Sequence, residues 1–188
     1  MPRKRPKKIS ERYLERSAAF YLDRYDSSAA NLKRVLMRKV YNSLREHGGD
    51  REEARRWVDE LVTRFQEGGL VDDDRYAKTK AGSLHRRGNS TRQIQMKLRS
   101  KGLDDDSINH AMGKLREEAP SPDLEAAIGW AKRRRIGPYR ADLSTRGDKR
   151  QKDMAVLARR GFPYDIVKQV IDAESEDELY ELIQESYE

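Results

Sequence analysis

Three sets of residues in this chain have types and spacings that bear on chemistry: three histidines, two runs of aspartates and one long basic stretch. His47, His85 and His110 lie far apart. None has the H-E-x-x-H spacing that brings two imidazoles to one helix face, so they read as surface residues rather than zinc ligands. Asp72 to Asp74 and Asp104 to Asp106 offer hard oxygen donors, the chemistry of a metal-dependent nuclease. Both runs, however, stand directly before segments with helical apolar spacing. There a carboxylate accepts backbone N–H bonds and meets the positive end of the helix dipole, so capping is the better reading. The chain has no cysteine, hence no disulfide and no thiol nucleophile, and it shows neither a phosphate loop nor a dinucleotide fingerprint. A non-enzymatic protein without a cofactor is expected.

The third set is LHRRGNSTRQIQMKLRSKG, Leu84 to Gly102, with six arginines and lysines and no acid. On a helix from Thr91 to Lys101, Ile94 and Leu98 face inward, while Arg92, Lys97, Arg99 and Lys101 spread over the remaining surface. Arg86 and Arg87 precede it. Similar bases recur at Lys33, Arg34, Arg38 and Lys39, and again at Arg150, Lys152, Arg159 and Arg160. A solvated helix face accounts for one such set; repetition on the same element favours a long surface that tracks an anionic partner, either nucleic acid or acidic protein. Without a placed base-reading helix, these bases suit phosphate contacts rather than sequence recognition.

The elements that position these residues read as helices throughout. Tyr13, Leu14, Ser17, Ala18, Tyr21, Leu22 and Tyr25 form one stripe; Leu32, Val35, Leu36 and Val40 form a second, entered through Ser27 or Ser28. Ala54, Trp57, Val58, Leu61 and Phe65 form a third after Gly48-Gly49. The pattern then returns. Asp72 starts a helix with Tyr76, Ala77, Ala81 and Leu84, Asn89 or Ser90 caps the next, and Asp104 to Asp106 open a third with Ile108, Ala111, Met112 and Leu115. After the APSP linker at 119–122, Leu124, Ala127, Ile128 and Ala131 start another set. A loop follows from Gly137 to about Gly147, and two more helices come after it, the last with Ile166, Val167, Val170 and Ile171 inward and Pro163 in its first turn. Aligning the middle helices places Leu36, Leu98 and Leu157 in register, 62 and 59 residues apart.

The expected fold is all-α, built from tandem three-helix repeats at 11–69, 70–119 and 120–172 that stack as an elongated curved rod. No period-2 alternation competes. A basic arm, expected to be disordered, occupies 1–10, and an acidic segment with the spacing of a short helix occupies 173–188. The net charge of +7 is unevenly spread: +5 on residues 1–16, −7 on 173–188 and +9 on the body between. Trp57 and Trp130 read as core; Tyr139, in the loop beside Arg140 and Arg146, is the aromatic best placed for exposure, with loop packing as its default reading. With no apolar run of membrane-spanning length, a cytoplasmic monomer is expected, with no membrane or small-molecule partner.

The segments GLVDDDRYA, RRGNSTRQIQMKLRSKGL and ARRGFPYDIVKQVI together resemble the RecX family of bacterial recombination regulators, across about residues 11–172. The resemblance implies tandem three-helix repeats and a partner, the RecA recombinase. Members bind in the groove of the RecA filament on DNA and restrain strand exchange, ATP hydrolysis and co-protease activity in DNA repair and the SOS response. These recurring bases would then meet acidic recombinase surface, filament DNA, or both. The basic arm and the acidic tail match no motif of the family. The alternative is a stand-alone DNA-binding protein with stacked helix-turn-helix-like units.

Overall fold

The computed structural model describes residues 5–187. They form ten α-helices and two short 3₁₀ turns, with no strand among the described residues, so the all-helical expectation holds. They divide into two compact units: one ends at Tyr76 and includes Lys101–Leu103, and the other comprises Ala77–Ser100 and the residues from Asp104 onward.

In the first unit, α1 (Glu11–Leu22), α2 (Ala29–His47) and α3 (Arg51–Glu67) enclose one core. Leu14 and Ala18 of α1, Leu32, Leu36 and Val40 of α2, and Val58, Leu61 and Phe65 of α3 are its buried members. Each helix starts at a side-chain cap: Ser10 accepts from the Tyr13 amide, Ser28 from Asn31, and Asp50 from Glu52 and Glu53. Residues 5–10 are not helical. Ile9 packs against the core, and the Pro6 carbonyl lies 2.8 Å from His47 Nε2. The expected arm at 1–10 lies partly outside the described residues.

The chain continues through α4 (Asp73–Arg86), α5 (Thr91–Ser100), α6 (Asp105–Glu118), α7 (Pro122–Arg134), α8 (Arg146–Arg159), α9 (Tyr164–Asp172) and α10 (Glu176–Glu185). Both aspartate runs serve helix starts. Asp72 accepts from the Arg75 amide at 2.9 Å, and Asp104 from Ser107 at 2.7 Å. In the second unit, Leu124, Ala127 and Ala131 of α7, Leu157 of α8, and Val167, Val170 and Ile171 of α9 share a core with Leu179 of α10. The acidic segment therefore does form a helix, and its apolar side docks on α7.

Tyr139 is buried, so the default of loop packing describes it and exposure does not. The Gly137 to Gly147 segment is not a free loop: 3₁₀ turns cover Gly137–Tyr139 and Leu143–Thr145, and α8 begins at Arg146. The nearly inaccessible Asp153 holds the first turn, accepting from the Gly137 amide at 3.1 Å and from two nitrogens of Arg140 at 2.9 and 2.6 Å.

A joint of one design occurs once in each unit. In the first, Ser28 caps α2 and its hydroxyl donates to the Lys101 carbonyl at 2.6 Å, while Asp73 accepts from the Ala29 amide at 2.8 Å. In the second, Ser90 caps α5 and donates to the Arg160 carbonyl at 2.8 Å, while Asp123 accepts from the Thr91 amide at 2.8 Å. Gly102 and Gly161, with φ of +79° and +78°, follow the two accepting carbonyls. A Cβ on Gly102 would collide with Ala30, and one on Gly161 would press on the Ser90 hydroxyl at 3.1 Å.

A candidate polyanion interface

The second of these joints builds a cluster of cations. Helix α4 stops where Asn89, buried, donates from Nδ2 to the Leu84 carbonyl at 2.7 Å. Asn89 Oδ1 then accepts from Lys97, one face along α5. Gly88, at φ +74°, leaves room for the Arg133 guanidinium, which donates to the Arg87 carbonyl at 3.1 Å. The Ser90 hydroxyl fixes the Arg160 backbone, and the Arg160 guanidinium lies 3.5 Å from the centre of the Trp130 ring. Arg134 and Arg133, four and three residues beyond Trp130 on α7, stand 4.9 and 5.7 Å from the same ring. The indole thus carries three guanidinium groups, each drawn to the negative face of the π system.

The electrostatics of this cluster are unfavourable for the protein alone. Burial pushes the Lys97 ammonium below its ordinary pKa, and the charges of Arg160, Lys80 and Arg87 push it in the same direction. Burial, followed by Arg133 and Arg134, does the same to Arg160. Lys80, Arg87, Lys97, Arg133, Arg134 and Arg160 form no ion pair with any described carboxylate. Arg160 Nε and Trp130 Nε1 are buried without a hydrogen-bond partner among the described residues. Desolvated donors and crowded like charges are costs that an incoming anion offsets. Chemically the cluster is a receptor for phosphate or carboxylate groups, with Arg able to bind them through two parallel N–H bonds.

Of the fourteen bases singled out in the sequence, the structure brings together Arg87, Lys97 and Arg160. Arg86 is exposed at the end of α4, and Arg92 is exposed with its Cδ beside Gly161. Arg99 pairs with Asp105 at 3.1 Å. Lys101 is half-buried, and its carbonyl is taken by Ser28. Lys33 pairs with Asp59, Arg34 donates to Asn31 at 3.3 Å, and Lys39 lies over the Tyr13 ring. Arg38, Lys152 and Arg159 are exposed. Arg150 is committed to Asp172 through two bonds of 2.6 and 2.7 Å.

Lys80, Arg133, Arg134 and Trp130 were not among the expected site residues. Trp130 is only half-buried: it packs on the core with part of its ring while the arginines cover another part. The available signal was the run Lys132 to Arg135 directly after Trp130, with Arg133 and Arg134 at the i+3 and i+4 positions that put side chains over a preceding aromatic ring.

No described helix is long and apolar enough to cross a membrane. A family model described as RecX, second three-helix domain, matches residues 72–112, which span α4, α5 and most of α6. The regulatory protein RecX of Myxococcus xanthus is 44% identical over 170 residues, covering 90% of this chain and 90% of its own. That of Agrobacterium fabrum is 27% identical over 162 residues, covering 86% and 83%, and that of Thermobifida fusca is 31% identical over 122 residues, covering 62% and 63%. With an all-helical fold, a matching three-helix domain and a relative this similar over nearly its whole length, the chain belongs to the RecX family of regulatory proteins.

Proposed function

We propose that this chain is a non-enzymatic regulator of a RecA-type recombinase in the cytoplasm, which binds the recombinase filament on DNA and restrains strand exchange, ATP hydrolysis and co-protease activity. Three successive three-helix repeats, 11–69, 70–119 and 120–172, present the binding surface, and the chain acts as a monomer. Membership of a family whose relatives are named regulatory proteins supports the reading. The observation that carries it is the unneutralised cluster of Arg160, Arg133, Arg134, Lys97, Arg87 and Lys80 around Trp130. Such a cluster is costly to maintain in the free protein and is suited to the phosphates and carboxylates that a nucleoprotein filament offers.

The test adds purified protein to preassembled recombinase filaments on single-stranded DNA and follows ATP hydrolysis and strand exchange. Both rates fall as the protein is added, and Arg160→Gln with Arg133→Gln requires a higher concentration for the same effect. Unchanged rates at saturating protein, or hydrolysis of ATP or DNA by the protein alone, would overturn the proposal.

A further inference from the structure

The first unit holds a second cationic surface, on different elements. Residues 5–10 are pinned beside α2 by the Pro6 carbonyl and His47, and a cleft of about 640 Å³ opens between this segment, α1 and α2. Its charged lining is Arg5, Lys7, Arg12, Arg16 and Lys39, with no carboxylate. None of the five pairs with a described acid. The aromatic lining is Tyr13, under Lys39, and Phe20. Phe20 is unusual for a phenylalanine: Arg24 sits 4.0 Å from the centre of its ring, yet the residue is 59% exposed. An apolar ring held in water between cations is poorly placed for core packing and well placed to receive another flat ring.

We infer that this cleft binds single-stranded nucleic acid, with phosphates on Arg12, Arg16 and Lys39 and a base stacked on Phe20. Three observations converge on that ligand. The volume is that of a site for a nucleotide-sized group. The cations run along one side of α1 and across to α2, as a backbone-tracking groove requires. The exposed aromatic beside them supplies the stacking platform that an acidic peptide does not need and an unpaired base does. Every residue named lies in the unit that ends at Tyr76.

The experiment uses the full-length chain and a fluorescent oligodeoxythymidylate of about 12 nucleotides containing iododeoxyuridine. Photo-crosslinks map to the α1 peptide at Phe20 or Tyr13. Combined Arg12→Gln, Arg16→Gln and Lys39→Gln substitution weakens oligonucleotide binding at least about ten-fold, and flattens the slope of log affinity against log salt by about 2, from three contacts at 0.7 each. Phe20→Ala, at an exposed site, weakens binding several-fold with the slope unchanged. Parental circular dichroism spectra confirm that both variants fold. Crosslinks confined to residues beyond Ala77, or parental binding by both variants, would sink the inference. So would equal losses for polyglutamate and oligonucleotide in the triple variant with Phe20→Ala silent, which would assign the cleft to an acidic protein.

Discussion

The Ser28 hydroxyl donates to the Lys101 carbonyl at 2.6 Å, so a residue that caps the start of α2 also holds a backbone carbonyl 73 positions later. Ser90 does the same for Arg160. One oxygen in each case accepts from an amide of its own helix and donates to a remote carbonyl, which leaves neither group unsatisfied. Ser28→Ala and Ser90→Ala should each destabilise the fold by about 1–2 kcal/mol, the loss of a cap together with an orphaned carbonyl. Urea denaturation of the two variants checks this, and a change of a few tenths would show that water replaces the hydroxyl.

Gly102 is bound into the same joint by space as well as by backbone angle. Gly102→Ala should cost about 3 kcal/mol, since the new Cβ adopts a left-handed φ and meets Ala30. Ala30→Gly removes that second problem but not the first. The double variant should therefore be more stable than the sum of the two single effects by about 1 kcal/mol, measured as a double-mutant cycle.

These joints explain what was and was not legible in the sequence. Leu36, Leu98 and Leu157 are all fully buried, as their register requires, because a helix with one apolar stripe has only one way to turn. The caps were legible for the same local reason: Ser28, Ser90, Asp72 and Asp104 act within three residues of themselves. Nothing in the sequence around Gly102 and Gly161 announces Ala30 or Ser90, the residues they meet. The cationic cluster was half legible. Charge repetition pointed to Arg87, Lys97 and Arg160, while Arg150 carries the same charge at a similar position and is consumed by Asp172. Which arginine meets a carboxylate is decided by residues distant in sequence, and periodicity carries no record of that.

Asp153 makes the segment after α7 a fixed structure. Its carboxylate is nearly inaccessible and satisfies both Arg140 and the Gly137 amide. Asp153→Ala should cost about 3 kcal/mol, because it strands a partly buried guanidinium and an amide in a site that water reaches poorly. Asp153→Asn keeps the amide's acceptor and should lose less. Thermal unfolding that ranks the two variants in the opposite order would contradict the role assigned to the carboxylate.

The Arg150 and Asp172 pair gives a pH dependence with a definite sign. The two Arg150 hydrogen bonds hold the Asp172 carboxyl below its ordinary pKa, and burial opposes them only in part. A carboxyl with a depressed folded pKa stabilises the fold at pH values above its unfolded pKa of about 3.9, and that contribution disappears as pH falls through the lower folded value. Arg150→Gln should therefore lower stability near neutrality, because the pair it breaks is bidentate. Below about pH 3 the variant and the parent should converge, since neither then gains from an ionised Asp172. Denaturation midpoints measured across the acid range decide it; a constant gap at every pH would mean that Arg150 acts through packing alone.

The cluster on Trp130 should betray itself by opposing stability to binding. Lys80 and Arg134 add to a field already crowded by Arg87, Lys97, Arg133 and Arg160, and neither side chain makes a hydrogen bond within the described structure. If their purpose were to hold the fold, removing them would weaken it; because they repel their neighbours, Lys80→Gln with Arg134→Gln should leave stability unchanged or raise it by about 0.5 kcal/mol. Added salt should stabilise the parent more than this variant, since screening relieves a repulsion that the variant already lacks. Filament binding should move the other way, weakening at low salt and becoming less sensitive to salt as charged contacts are lost. Differential scanning fluorimetry and filament co-sedimentation, run on the same pair of proteins over the same salt series, read both sides of this trade. A variant less stable than the parent and equal to it in binding would make the six cations a structural feature of the second unit and remove them from the interface.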